Sequence, residues 1–150
     1  MIYLFDTSIL LHFLRSSPLA QKIDQEHDPF NSDNTLLLSV VSEGEIRSIS
    51  LQLSWGVKRI QKLESDLKEF GIIPVRSKDI ISRYAEIDAY SQNKLAGQPL
   101  GSTPRNMGKN DLWIAATASV LGAKLLTTDS DFNHLEGKYV DLICVNPIAV

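Results

Sequence analysis

Five acidic residues stand where apolar runs end or where an amphipathic segment begins. They are Asp6, Glu45, Asp111, Asp129 and Asp131. Asp6 follows the apolar run 1–5, whereas Asp129 and Asp131 follow the run 123–128. If these chain ends meet in space, the carboxylates cannot all stay ionised side by side unless a cation neutralises them. Carboxylate oxygens bind hard cations such as Mg²⁺, and sites of this kind most often act on phosphate groups.

Each of these carboxylates also has a purely structural explanation. Glu45 stands three residues after Ser42, which is the spacing of a capping box at the start of a helix. Asp111 falls in the first turn of a predicted helix, where the helix dipole favours a negative charge. The other three acids could cap the segments that they precede. Caps have no reason to favour one edge of a sheet, however, and a buried carboxylate such as Asp6 is costly without a cation or a hydrogen-bonding partner.

The hydrophobic pattern predicts five short strands that alternate with helices. The predicted strands are 2–5, 36–41, 72–75, 124–127 and 140–145, and the predicted helices are 8–14, 18–27, 42–55, 57–69, 77–90 and 109–121. This alternation predicts a single α/β domain over residues 1–150, with a mainly parallel central sheet flanked by helices. Ligands of such sheets bind beyond the carboxyl ends of the strands, which is the edge where the acidic residues are expected.

Composition and charge restrict the classes of function. The chain is 43% hydrophobic and 22% charged, as soluble globular domains are, and it has no apolar run of the roughly 20 residues that a bilayer requires. The lone Cys144 and the lack of a basic leader predict a reducing, cytoplasmic location. The net charge is −3, but without the five candidates 13 acidic residues face 15 Lys and Arg, so a nucleic-acid partner is permitted.

A few polar and basic residues near the acids are secondary candidates. Ser8 and Thr128 could position a water molecule beside the carboxylates, or could equally bond to local backbone. Arg47, Lys109 and Arg105 could contact a phosphate backbone, although each is as easily read as part of a solvated face. The chain contains neither a G-x-x-x-x-G-K-[ST] nor a G-x-G-x-x-G phosphate-binding motif.

Four segments of the chain resemble the PIN domain. They are residues 2–8, 39–47, 110–116 with the pattern N-D-x-W-I-A-A, and 125–132 with the pattern T-x-D-x-D-F. Together, and in this order, they are similar to the VapC-type toxin ribonucleases of bacterial toxin–antitoxin pairs. The last two patterns are specific in combination, whereas the D-T-S at Asp6 alone would be a weak signal.

The resemblance implies a PIN-like three-layer fold and an endoribonuclease activity that depends on Mg²⁺ or Mn²⁺. It also implies frequent dimerisation and inhibition by a small antitoxin protein. Carried over by position, the acidic quartet is Asp6, Glu45, Asp111 and Asp129, with Asp131 as an accessory. As a hypothesis, Asp6, Asp111 and Asp129 hold the metal, and Glu45 orients or deprotonates the attacking water.

Two segments depart from the family pattern, and several other functions compete with the nuclease hypothesis. The loop 97–108 is longer than usual, and residues 136–141 are more charged. An aspartyl-nucleophile phosphatase would carry a second acid two residues after Asp6, where this chain has Ser8. A signalling receiver domain would need paired acids after the first strand. A nuclease outside any toxin–antitoxin pair and a catalytically silent PIN module that only binds a partner remain open alternatives.

Overall fold

A computed structural model describes residues 1–147 and contains a five-stranded sheet in which all neighbouring strands are parallel. The strands are β1 (Ile2–Phe5), β2 (Thr35–Ser39), β3 (Gly71–Ile73), β4 (Lys124–Thr127) and β5 (Asp141–Cys144). Their order across the sheet is β3-β2-β1-β4-β5, so β1 is central and β3 is an edge strand, as its proline-flanked sequence predicts.

Six α-helices and one short 3₁₀ helix connect the strands. They are α1 (Thr7–Leu14), α2 (Pro18–His27), α3 (Val40–Gln52), α4 (Val57–Leu67), α5 (Lys78–Ser91) and α6 (Lys109–Leu121), followed by the 3₁₀ helix Ser130–Leu135. Within residues 1–147 no helix combines the length and the apolar character needed to cross a membrane.

Two hydrophobic cores lie on opposite faces of the sheet. Side chains of successive strand residues alternate between faces, so Phe5 points into one core and Leu4 into the other, and both are fully buried. The core around Phe5 is completed by α1 to α4, and the core around Leu4 by α5, α6 and the 3₁₀ helix. The predicted three-layer α/β architecture is therefore confirmed.

The boundary between β2 and α3 differs from the prediction. The β-branched Val40 and Val41 were expected to continue the strand, but they form the first turn of α3. The reason is Ser39, whose hydroxyl accepts a hydrogen bond from the Val41 backbone N–H at 3.1 Å and so caps the helix two residues earlier. Ser42 caps nothing, because its hydroxyl is buried and has no hydrogen-bond partner in the described part of the chain.

Candidate active site

Asp6 lies at the carboxyl end of the central strand and is only 7% exposed. One of its carboxylate oxygens accepts the backbone N–H of Thr7 at 2.8 Å, which caps α1. The other oxygen accepts the hydroxyl of Thr127, at the end of β4, at 2.7 Å. Asp6 is therefore a helix cap, as the structural explanation expected, and it also joins the carboxyl ends of β1 and β4.

The pKa of Asp6 is raised above its ordinary value. The largest cause is burial, which disfavours the charged carboxylate. The hydrogen bonds from Thr127 and Thr7 act in the opposite direction, and repulsion from the carboxylates of Glu45 and Asp129 raises the pKa further. The charge of Asp6 thus interacts with two other candidates, although they are 39 or more positions away in sequence.

Glu45 projects from the second turn of α3 and is half-buried. Its Oε1 accepts a hydrogen bond from the Thr7 hydroxyl at 2.9 Å, so its carboxylate is directed toward the start of α1. The predicted capping box between Ser42 and Glu45 is wrong, because α3 begins at Val40 and Ser39 is its cap. The structural explanation of Glu45 is thereby removed.

Asp129 and Asp131 form the turn that begins the 3₁₀ helix. The Asp129 carboxylate accepts the Asp131 backbone N–H at 2.9 Å, which is the capping role expected from sequence. The Asp129 backbone N–H donates to the Thr127 hydroxyl at 3.0 Å, so one threonine fixes both Asp6 and Asp129. Asp131 itself is exposed and lies at the rim of the group.

Asp111 occupies the first turn of α6 and is half-buried. In the described chain, its carboxylate makes no side-chain hydrogen bond or salt bridge. Burial is the largest cause that raises its pKa to about 7, followed by repulsion from Asp6 and Asp129 and then from Glu45 and Asp131. All five candidate carboxylates therefore share one electrostatic environment around Asp111.

The donor set of this cluster suits a hard divalent cation. Its ligating groups are carboxylates, and the raised pKa values of Asp6 and Asp111 show negative charge that a cation would relieve. As they stand, no three Asp, Glu, His or Cys side chains within residues 1–147 are arranged to hold a metal ion. Mg²⁺ is commonly bound by only one or two carboxylates, with water and substrate phosphate as its remaining ligands, so the residues present fit the ion chemically.

Two threonines support the cluster, and sequence reasoning missed both. Thr7 donates to Glu45, and Thr127 donates to Asp6. The candidates proposed from sequence were their neighbours. Ser8 approaches Asp6 only at 3.4 Å, and Thr128 makes no side-chain hydrogen bond in the described residues. The signal for Thr127 was its place as the last residue of a buried strand, where a hydroxyl needs a partner.

The basic candidates differ in how free their charges are. The Arg47 guanidinium is held by Glu43 at 2.9 Å and by Glu64 at 2.5 Å, and these two bonds raise its pKa. Lys109, by contrast, is exposed at the first position of α6 and forms no salt bridge in the described chain. Lys109 is therefore better placed than Arg47 to meet a phosphate.

A recess of about 520 Å³ adjoins Glu45. It is lined by Val40, Val41, Gly44, Glu45, Ser48, Ile49, Gln52 and Asn110. Because Asn110 directly precedes Asp111, the recess lies between α3 and the start of α6. Glu45 is thus reachable from solvent through a partly apolar cleft.

Solved structures of toxin–antitoxin complexes share this fold. A chain of the VapBC2 complex from Rickettsia felis, bound to a promoter DNA fragment, is 20% identical over 97% of this chain and all of its own, with a TM-score of 0.73. A chain of VapBC-1 from nontypeable Haemophilus influenzae is 21% identical over 96% and 98% of the two chains, with a TM-score of 0.68. A chain of FitAcB from Neisseria gonorrhoeae is 22% identical over the full length of both chains, with a TM-score of 0.67.

The family itself is established by sequence. No curated protein matches the chain. The model of the PIN domain, in contrast, matches residues 3–138, which include all five candidate carboxylates and four of the five strands. The resemblance inferred from the four sequence segments is confirmed: the chain belongs to the PIN domain family.

Proposed function

We propose that this protein is a divalent-metal-dependent endoribonuclease that hydrolyses RNA phosphodiester bonds. The observation that carries the proposal is Asp111, a half-buried carboxylate without a hydrogen-bond partner in the described chain, whose pKa is raised to about 7 beside four other carboxylates. In a carboxylate that only caps a helix, hydrogen bonds stabilise the charged form. In Asp111, burial and the neighbouring carboxylates destabilise the charged form until a cation binds. Membership of the PIN family supports the same function.

In this proposal Asp6, Asp111 and Asp129 hold Mg²⁺ or Mn²⁺. The bound ion would lower the pKa of a water molecule and stabilise negative charge on the phosphate. Two of the three carboxylates are fixed before any ion arrives, because Thr127 bonds to the Asp6 carboxylate and the Asp131 backbone N–H bonds to that of Asp129. Asp111 has no such restraint and is free to adjust its carboxylate to the ion.

Glu45 is proposed to orient or deprotonate the attacking water. The Thr7 hydroxyl occupies its Oε1, which leaves Oε2 as the oxygen that can accept a proton or a hydrogen bond from water. This restraint fixes the direction of the carboxylate at low entropic cost. Thr7 is accordingly proposed as a positioning residue for the general base.

Attack by water predicts products with a 5′-phosphate and a 3′-hydroxyl. Cleavage through the ribose 2′-hydroxyl would call for a pair of general acid–base groups such as histidines. His12 instead contacts Ser17 at 2.8 Å, His134 contacts Ser91 at 2.7 Å, and His27 lies on α2 beside Tyr3. The three histidines therefore occupy separate places and form no acid–base pair, and His134 interacts electrostatically with Asp131 at the rim of the cluster.

The experiment that tests this activity is cleavage of end-labelled single-stranded RNA with Mg²⁺, with Mn²⁺ and with EDTA. We expect wild-type protein to cut in the presence of either metal and to stop in EDTA, and Asp111→Asn to be inactive throughout. Asp111→Asn is the preferred variant because no hydrogen bond is lost, whereas Asp6→Asn would disturb a helix cap. Equal, metal-independent cleavage by both proteins would refute the proposal.

We further propose that the chain is the toxin of a toxin–antitoxin pair, acting in the cytoplasm and inhibited by a small antitoxin. The support is the fold shared with VapBC and FitAcB chains over nearly the full length. We also propose that the protein forms a homodimer. The end of α3, the following turn and the start of α4 expose Leu51 by 80%, Leu53 by 60% and Val57 by 73%, which supports a protein-binding surface there.

Co-expression with the neighbouring small open reading frame tests this second step. Growth arrest by the protein alone, relieved by the neighbour and abolished by Asp111→Asn, is the expected result. A host that grows normally with the active protein would instead favour a nuclease outside a toxin–antitoxin pair. Sedimentation of the purified protein measures whether it is dimeric.

A further inference from the structure

The long segment between α5 and α6 ends in an arm, Arg105–Met107, that is fixed to the body of the protein. The Arg105 backbone N–H donates to the carbonyl oxygen of Ser91, the last residue of α5, at 2.7 Å. Met107 is only 7% exposed and packs into the core beneath α6. The arm is therefore part of the folded structure.

A buried polar contact fixes the arm from a second direction. The Ser91 hydroxyl is fully buried and lies 2.7 Å from Nε2 of His134, a residue of the 3₁₀ helix. The same hydroxyl lies 3.4 Å from the Met107 sulfur. Ser91 thus ties together the end of α5, the arm and the 3₁₀ helix that begins beside Asp129.

A pocket of about 230 Å³ opens between this arm and the 3₁₀ helix. Arg105 and Asn106 of the arm and Asp131 of the 3₁₀ helix provide exposed polar side chains, and buried Met107 provides an apolar surface. Neither Arg105 nor Asp131 forms a salt bridge in the part of the chain described. A guanidinium, an amide and a carboxylate around an apolar surface are the groups that read the edges and the face of a nucleobase.

The pocket adjoins the proposed active site. Asp131 lines the pocket, and its backbone N–H donates to the Asp129 carboxylate at 2.9 Å, so the pocket is directly connected to the carboxylate cluster. The recess beside Glu45 and Asn110 is a separate one, which shares no lining residue with the pocket. A single strand of RNA bound at the carboxylates would therefore have two recesses next to it, one beside Glu45 and one beside Asp131.

We propose that this pocket binds one unpaired base of the RNA next to the bond that is cut, and that it sets the sequence preference of the enzyme. The inference rests on the proposed nuclease function and assigns a role to the long loop and to Asp131. Asp131 would repel a phosphate group, but it accepts hydrogen bonds from the amino group of adenine, cytosine or guanine, while Arg105 donates to a ring nitrogen or carbonyl acceptor. We therefore expect bases with an amino group to be preferred over uracil.

The test is binding of short RNAs measured by fluorescence anisotropy, with EDTA present so that no RNA is cut. The probes are labelled hexauridine and the same hexamer with one A, C or G. The variants are Asp131→Ala and Arg105→Ala. The matched control is Lys94→Ala, which removes one positive charge from an exposed side chain of the same loop outside the pocket. Circular dichroism verifies that each variant is folded.

Wild type and Lys94→Ala are expected to bind at least one substituted hexamer about fivefold more tightly than hexauridine, which is the low end of discrimination by one base contact. Asp131→Ala should abolish this preference because the acceptor for the base amino group is gone, and Arg105→Ala should weaken binding of every hexamer more than Lys94→Ala does. Equal affinities in wild type, or a preference that survives Asp131→Ala, would overturn the inference. Base-selective binding without cleavage would instead refute the nuclease function alone, and cleavage without base selectivity would refute the pocket alone.

Discussion

The carboxylates of the candidate site differ in how firmly the protein holds them. Asp6 accepts two short hydrogen bonds and a long one of 3.4 Å from Ser8, Glu45 and Asp129 accept one each from Thr7 and from the Asp131 backbone, and Asp111 accepts none in the described chain. Asp111, the least restrained of these carboxylates, has a pKa of about 7. At neutral pH the cluster is therefore only partly ionised until a cation joins it.

This electrostatic strain predicts a pH dependence of stability in metal-free protein. The folded state holds the Asp111 proton up to about pH 7, whereas the unfolded chain releases it near pH 4. The contribution of Asp111 to the free energy of unfolding is thus fully present below pH 4 and is lost as the pH rises to 7. Urea unfolding in EDTA should show that Asp111→Asn reduces this loss by an amount on the order of 1 kcal/mol, since the half-exposed carboxyl is screened by solvent.

Parallel slopes of unfolding free energy against pH for wild type and Asp111→Asn would contradict that expectation. Asp79→Asn is the matched control, because Asp79 also lies in the first turn of a helix but is exposed and outside the cluster. Its slope should equal that of wild type.

Thr127 is predicted to be essential for the geometry of the site. Thr127→Val removes a buried hydroxyl that donates to Asp6 and accepts from the Asp129 backbone, so we expect a stability loss of about 1–3 kcal/mol together with loss of RNA cleavage. Thr127→Ser should retain cleavage because the hydroxyl remains. Thr128→Val, at the adjacent position, should behave as wild type. Urea unfolding and the RNA assay give both readouts, and full activity of Thr127→Val would show that this bond is dispensable.

The acidic residues of the site could be predicted from the sequence, but the threonine hydroxyls that hold them could not. An acid directly after a buried strand is unusual enough to be noticed, and Asp6 and Asp129 were found in this way. Whether Thr7 or Ser8 contacts an acid depends on which way each side chain points at the start of α1. That direction is set by the cap geometry, which composition and spacing do not encode.

At the level of elements, the start of α3 decides what Glu45 can do. A helix that began at Ser42 would place Glu45 at its third position, directed back toward its own first turn. Beginning at Val40, the helix places Glu45 in the second turn, where its carboxylate meets Thr7 of α1. A difference of two residues in where α3 begins therefore determines whether Glu45 is a capping residue or a candidate general base.

Two serine variants test this helix boundary. Ser39→Ala removes the cap of α3 and should lower the unfolding free energy by about 1 kcal/mol. Ser42→Ala removes a buried hydroxyl that has no partner in the described chain, so it should cost almost nothing or stabilise the protein. Chemical denaturation of the two variants makes the comparison. If Ser42→Ala proved less stable than Ser39→Ala, the cap of α3 would be Ser42 instead of Ser39.

Most elements were predictable because their signals are local. The alanine-rich α6 ends at Gly122, whose left-handed backbone (φ 63°) suits glycine, and its predicted bounds 109–121 are those observed. The prediction for the end of β2 is wrong because Val40 and Val41 favour a strand. The strand ends at Ser39 instead, because the Ser39 side chain caps α3. The 3₁₀ helix was missed because six residues carry too little periodicity.

For the molecule as a whole, the strand order explains why distant acids meet. From the central β1 the chain proceeds through β2 to β3 on one side and then continues with β4 and β5 on the other. The order reverses between β1 and β4, and Asp6 and Thr127 meet at the carboxyl ends of those two strands. The sequence predicts a parallel sheet with acids at strand ends, but it does not contain the strand order that brings them together.

We propose that the five carboxylates act as one cation site. Calorimetric titration of Mn²⁺ into wild-type protein at pH 7.5 tests this without assuming any substrate. We expect wild type and Asp79→Asn to bind the ion alike, and Asp111→Asn to bind at least about tenfold more weakly because the carboxylate at the centre of the mutual repulsion is gone. Equal Mn²⁺ affinity in wild type and Asp111→Asn would show that the carboxylates do not form one cation site.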